Sequence, residues 1–163
     1  MTLAGTTWTT ASQPGLISGL AAVSCTSATW CLAVGGTVSG SPQPVAASWT
    51  GSAWKKLSPT KPAPVGGGGN PLTGVSCTAV RSCVAIGYAA ISELGADNVE
   101  YVDAPFADIF RGGTWTVVNL PVPARSLGTS LPGISCAAAN ACVAAGQTSR
   151  YASPVVAIDA LGT

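Results

Sequence analysis

Histidine is absent from this 163-residue chain, and charge of either sign is scarce: seven Lys and Arg and six Asp and Glu, 8% of the residues together. Without imidazole no Ser-His-Asp or Cys-His nucleophile can be assembled, and a common metal ligand is missing. A net charge of +1 offers no field to hold nucleic acid or an anionic membrane surface. Lys55, Lys56 and Lys61 are too few and too spread for a phosphate-binding face. No uninterrupted apolar run approaches the roughly 20 residues of a membrane-spanning helix. No window of ten or more residues is periodic at 3.6, so helix is not the organising element. Also missing are a G-x-S-x-G elbow, a Walker loop and a dinucleotide-binding glycine loop. Gly66–Gly69, beside Pro62, Pro64 and Pro71, reads as a slack linker. With 47% hydrophobic residues the chain is too apolar to be disordered. One compact all-β domain over 1–163 is expected.

What is present is cysteine, six residues in three pairs of one spacing: Cys25/Cys31, Cys77/Cys83 and Cys136/Cys142. Six cysteines allow fifteen connectivities, and a repeated spacing selects the local one. Five intervening residues place two cysteines across a β-hairpin, within disulfide reach. Free buried thiols and a metal site are the alternatives, but zinc favours a C-x2-C knuckle, usually with histidine. Disulfides imply an oxidising, secreted or extracellular setting. Residues 1–15 carry neither the basic nor the apolar segment of a secretory leader; the expectation is that Met1 begins a trimmed chain.

The cysteine pairs mark an internal repeat. Leu20-Ala-Ala-Val-Ser-Cys25, Leu72-Thr-Gly-Val-Ser-Cys77 and Leu131-Pro-Gly-Ile-Ser-Cys136 share one pattern, followed by Cys31-Leu-Ala-Val-Gly35, Cys83-Val-Ala-Ile-Gly87 and Cys142-Val-Ala-Ala-Gly146. Trp49-Thr-Gly-Ser-Ala-Trp54 and Phe110-Arg-Gly-Gly-Thr-Trp115 then open the final strand of repeats one and two. Alternating and β-branched residues between Gly, Ser and Pro breaks predict strands at 20–26, 30–36, 44–50 and 53–58, then at 72–78, 82–89, 104–111 and 114–119. Repeat three stops after a strand near 154–158, and the missing Gly-x-x-Trp strand stands at the other terminus as Gly5-Thr-Thr-Trp8. Cys25 to Cys77 is 52 residues and Cys77 to Cys136 is 59; from Cys136 through Thr163 and on to Cys25 is again 52. The chain is a circularly permuted set of three repeats.

Four-stranded units with terminal strands split across one unit predict a β-propeller, here with blades at 20–58, 72–119 and 131–163 plus 5–12. The combined pattern L-x-x-[VI]-S-C-x5-C-x-A-x-G and W-x-G-x-x-W resembles repeats in secreted actinobacterial β-propeller proteins of largely unassigned function. The resemblance covers nearly the whole chain and implies blade architecture rather than an activity. Three blades would need about 120° between neighbours, too splayed for sheets packing about 10 Å apart. The expectation is therefore a homodimer with a six-bladed ring. Each N-terminal strand around Trp8 would pair with the partner's strand at 154–160, in an isologous contact. Trp8, Trp54 and Trp115 occupy one slot and read as wedges between blades.

Two functions compete. The first is a non-catalytic, lectin-like module that binds a glycan or protein through the loops joining second and third strands. Its candidate residues are Tyr88, Asn98, Tyr101, Phe106, Arg150 and Tyr151, with Trp30 at the tip of the first disulfide hairpin, either exposed or folded back. The second is a carboxylate-based glycoside hydrolase or lyase. Repeat two is the longest, and its surplus forms an enlarged loop at 90–105. Glu93, Asp97, Glu100, Asp103 and Asp108 gather in and beside it, five of six carboxylates. Asp97, Glu100 and Asp103 would carry acid–base chemistry. No cofactor is expected, the alternative being Ca²⁺ on Asp97, Asn98, Glu100 and Asp103.

Overall fold

A computed structural model describes residues 2–4, 6–9, 19–62, 69–94, 99–122, 128–148 and 154–159, all of whose regular structure is β. A short ribbon, β1 (Thr2–Ala4) and β2 (Thr7–Thr9), forms a sheet of its own. Repeat one is the antiparallel sheet β3 (Leu20–Ser27), β4 (Trp30–Gly36), β5 (Pro44–Trp49) and β6 (Trp54–Leu57). Repeat two is β7 (Leu72–Ala79), β8 (Ser82–Leu94), β9 (Val99–Arg111) and β10 (Thr114–Asn119); repeat three is β11 (Thr129–Ala138), β12 (Ala141–Thr148) and β13 (Pro154–Asp159). In every sheet neighbours in sequence are neighbours in space, so only hairpins are needed. At the β9–β10 turn Gly112 and Gly113 both have positive φ, 61° and 106°, as a two-residue turn matching strand twist requires.

The cysteine spacing has a geometric cause. Opposed residues around a two-residue hairpin enclose an even number of residues, and five is odd. A β-bulge absorbs the extra one at the same place each time: Cys25 opposes Cys31 and Ser27 opposes Trp30; Cys77 opposes Cys83 and Ala79 opposes Ser82; Cys136 opposes Cys142 and Ala138 opposes Ala141. All three pairs are disulfides, with Cα atoms 4.0, 4.0 and 3.9 Å apart. The repeated glycine two residues after the alanine of each second strand is explained by close approach. A Cβ on Gly35, Gly87 or Gly146 would fall on the carbonyl oxygen of Gly19, Pro71 or Ser130, where the chain enters the same repeat.

Each sheet has two faces, and they stack in chain order. The forward face of repeat one (Leu32, Val34, Ala46) shares a buried cluster with the rear face of repeat two (Val75, Cys83, Ala85, Phe106, Phe110). The forward face of repeat two (Val84, Ile86, Ala107) clusters with Leu131, Cys142 and Ala144 of repeat three. Full burial of side chains such as Leu32 and Ile86 contributes about 1.5–3 kcal/mol each. The same hydrogen bond ties both junctions. Cys77 N–H donates to Ser24 Oγ and Cys136 N–H to Ser76 Oγ, both at 3.0 Å. The serine of each V-S-C motif thus receives the next repeat's first strand.

Most predicted strands lie within one residue of the observed ones. The enlarged loop is a correction. Residues 90–94 and 99–105 extend β8 and β9 into a paired ribbon, with unbroken register from Ser82↔Arg111 to Leu94↔Val99. Continuous cross-strand pairing satisfies the backbone where an open loop would need water. Among the described residues no sheet closes on itself, and β13 pairs only with β12, leaving its outer edge open.

Candidate functional site

The ribbon stands at the end of repeat two where second strands turn into third. Neighbouring segments hold its base from several sides. Asp103 bridges to Gly128 in parallel fashion, Ala90 N–H donates to Gly69 O at 3.1 Å, and Leu120 N–H donates to Pro105 O at 3.0 Å. Gly69, at the end of the glycine run, is therefore pinned rather than slack. By register Asp103 falls on the forward face of the sheet, the face that meets repeat three. Thr129 and Thr148, opposed across β11 and β12, occupy the matching end of repeat three. Both are buried, 1% and 5% exposed, and neither hydroxyl has a hydrogen-bond partner among the described residues. Burial raises the Asp103 carboxyl above the ordinary aspartate value. The junction thus carries one carboxyl whose ionisation burial opposes and, among the described residues, two hydroxyls with unused donor and acceptor capacity.

A second carboxyl lies deeper. Asp108, in the middle of β9, is fully buried on the rear face; burial pushes it up to about 7, and a hydrogen bond from Thr60 N–H partly offsets this. That bond, to Oδ2 at 2.9 Å, and one from Thr60 Oγ1 to Trp115 O at 3.1 Å fasten the segment after β6 onto repeat two. Asp108 Oδ1 has no partner among the described residues. The equivalent positions are Ala47 and Ala157, each opposing the same alanine of its second strand, so this carboxyl belongs to repeat two alone. The sequence grouped Asp108 with the acids in and beside the enlarged loop. Its position on the alternation of Phe106 and Phe110 was the available signal that it points inward.

The structure distributes the expected binding residues unevenly. Trp30 folds inward, 9% exposed, into the cluster with Leu32 and Val34. Phe106 is a core ring, 1% exposed, rather than a surface one. Both are apolar side chains on inward-facing register positions, where burial outweighs a surface role. Tyr88 is half-buried opposite Pro105 at the ribbon base. Tyr101 lies in the ribbon opposite Ser92, and Glu100 opposite Glu93. Positions 100 and 103 are three apart in an unbroken register, so they fall on opposite faces of the ribbon. Asp97, Asn98, Arg150 and Tyr151 lie outside the described residues. Among the described residues no three His, Cys, Asp or Glu side chains gather closely enough to hold a metal ion. Trp54 and Trp115, both half-buried, stack on Trp49 and Phe110 of their own sheets, with centroids 5.6 and 4.7 Å apart. Sequence reasoning missed Thr129 and Thr148, which stand just outside the repeated motif.

No family model, curated protein or solved structure matches the chain.

Proposed function

We propose that the chain is a non-catalytic, secreted ligand-binding module. It supplies three blades of a β-propeller, and a second copy completes a six-bladed ring. It binds a glycan or protein at the end bearing the β8–β9 ribbon. One observation carries the reading: the unpartnered Thr129 and Thr148 hydroxyls beside the Asp103 ribbon base. Burying hydroxyls without partners costs stability, so a local opening of this junction onto a ligand rich in hydroxyls or amides would supply what they lack. Three intrachain disulfides, typical of extracellular proteins, and the scarcity of catalytic groups agree with it. In the ring, β2 of one copy would pair with the open edge of β13 in the other.

A glycan array probed with and without Ca²⁺ tests this. Saturable binding to one glycan class, lost in Asp103→Ala and Thr148→Val, is expected. Thr148→Val removes only an unpartnered hydroxyl, so folding should survive it. Full retention of binding by both variants, or binding to no glycan and to no extracellular protein bait, would overturn the reading.

The enzymatic alternative draws on the raised Asp103 carboxyl beside the other ribbon acids. A glycosidase needs both carboxyls to flank one bond, and the opposite faces of positions 100 and 103 oppose that for this pair. Asp97→Ala and Glu100→Ala would be silent for a binder and would abolish turnover in such an enzyme.

A further inference from the structure

The end of repeat two opposite the ribbon carries two arginines side by side. Arg81 sits in the turn between β7 and β8, and Arg111 ends β9, opposite Ser82 in the register. Arg81 O accepts the Gly112 N–H at 3.0 Å, which fastens the two turns together and makes residues 81 and 111 close neighbours. Both side chains are exposed. Arg111 is held in place, its Nη2 donating to Ala139 O of the third disulfide hairpin at 2.7 Å, and it keeps further guanidinium donors. Arg81 has no side-chain partner among the described residues. Arg81 is also the one described residue other than glycine with positive φ, 57°. The same turn slot holds Thr29 in repeat one and Asn140 in repeat three, and neither adopts that conformation. Left-handed backbone suits glycine and disfavours a long side chain, yet a cation stands there. The acids lie elsewhere. Asp103, at the ribbon base, is roughly 25 Å away along β9, with Glu93 and Glu100 farther still. Asp108 is buried on the rear face, whereas Arg111 lies on the forward one, and Asp159 opposes Cys142 in repeat three. Neighbouring like charges repel, and no described acid pairs with these two.

We infer that Arg81 and Arg111 form a second binding site, for the sulfate or carboxylate groups of an acidic polysaccharide. Guanidinium forks donate paired hydrogen bonds to such oxygens, and an anion between them removes their repulsion. The surroundings favour a polysaccharide over a protein. Gly112, Gly113 and Thr114 beside Arg111 are exposed, and the space above both glycines is open. Val80 is the only large apolar side chain exposed in these turns. A shallow polar surface of this kind suits a hydroxyl-rich chain rather than the buried apolar anchor of a protein interface. One pair of arginines grips one charged group weakly, and repetition of that group along a polymer raises the overall affinity. The site lies a strand's length from the Asp103 ribbon base and does not depend on it.

Immobilised dextran sulfate, polygalacturonate and neutral dextran are the probes. The wild type should bind at least one charged polymer and not dextran, and the choice between the two tells sulfate from carboxylate. Arg81→Gly should bind about tenfold more weakly, the worth of a charge-assisted hydrogen bond. The same variant should melt within a few degrees of the wild type, because glycine suits the turn. Arg111→Lys keeps the charge but loses the fork and should also weaken binding severalfold. Lys55→Ala with Lys56→Ala removes as much positive charge from exposed positions on β6 and should bind as the wild type does. Free sulfate or acetate, matching the bound polymer, should displace it better than chloride at equal ionic strength. Equal affinity for dextran, undiminished binding by Arg81→Gly, an equal loss in the lysine variant, or equal displacement by chloride each overturns the inference, the last two by reducing it to screened bulk charge. Asp103→Ala should leave this binding intact, so failure here and failure of the ribbon reading are separate results.

Discussion

Asp108 is the residue at which this protein should respond to pH. Its carboxyl sits near 7 in the folded chain against 3.8 unfolded. Between those values the unfolded chain releases the proton first, so folding stability is fully present below about pH 4 and falls as pH rises towards about 7. Above that it is level. At about 1.4 kcal/mol per unit the loss is a few kcal/mol. Asp108→Asn retains an oxygen for Thr60 N–H and cannot ionise. Urea titrations at pH 4 and pH 8 should show the wild type weakened at pH 8 more than the variant, which keeps only the contribution of the raised Asp103. Equal pH slopes in both proteins would place the titrating group elsewhere. The interlocking serines make a second residue-level case. Ser24→Ala and Ser76→Ala each leave a cysteine N–H unpaired at a junction and should cost about 1–3 kcal/mol, measured by the same titrations.

At the scale of elements, the disulfide hairpin and the ribbon have different roles. Each disulfide closes a loop of only a few residues, and chain-entropy reasoning gives it about 2 kcal/mol. The second and third hairpins, with Cys83 and Cys142 buried in the two clusters, should be more sensitive than the first. Cys83 is 3% exposed within the first cluster, so Cys77→Ala with Cys83→Ala also removes packing. That pair should lower the denaturation midpoint more than Cys25→Ala with Cys31→Ala. The ribbon, by contrast, projects from the sheet. Replacing residues 93–100 by Asn-Gly joins Ser92 to Tyr101, which already oppose each other, through a favoured hairpin turn. The shortened protein should unfold within a few degrees of wild type. If it still binds ligand, recognition lies at the Asp103, Thr129 and Thr148 base; if not, it lies in the ribbon tip.

For the whole molecule, the proposed ring of two chains would tie stability to concentration. Association with a partner that binds only folded chain raises the unfolding midpoint by mass action. The thermal midpoint should therefore climb across a hundredfold increase in protein concentration. A flat midpoint in the wild type would mean that stability is complete within one chain.

The strand boundaries of repeats one and two, the three disulfides and the all-β class were legible in the sequence, because each depends on local period-two patterning and on a spacing that recurs. Trp30 was readable only as a tip residue with two fates, since its exposure depends on Leu72 and Phe106, which are far away in the chain. The ribbon was read as a loop because it is the surplus of repeat two over its neighbours, falling between the second and third strands. Its strands exist through cross-strand pairing that no single segment displays. Asp108 and the Thr129–Thr148 pair escaped for the same reason: whether a polar group finds a partner is decided by which face meets which. The amino-acid pattern alone determined the repeat and its hairpins. Only the tertiary structure decided that faces stack forward on rear, because that order arises from shape matching between sheets and leaves no mark on the local pattern.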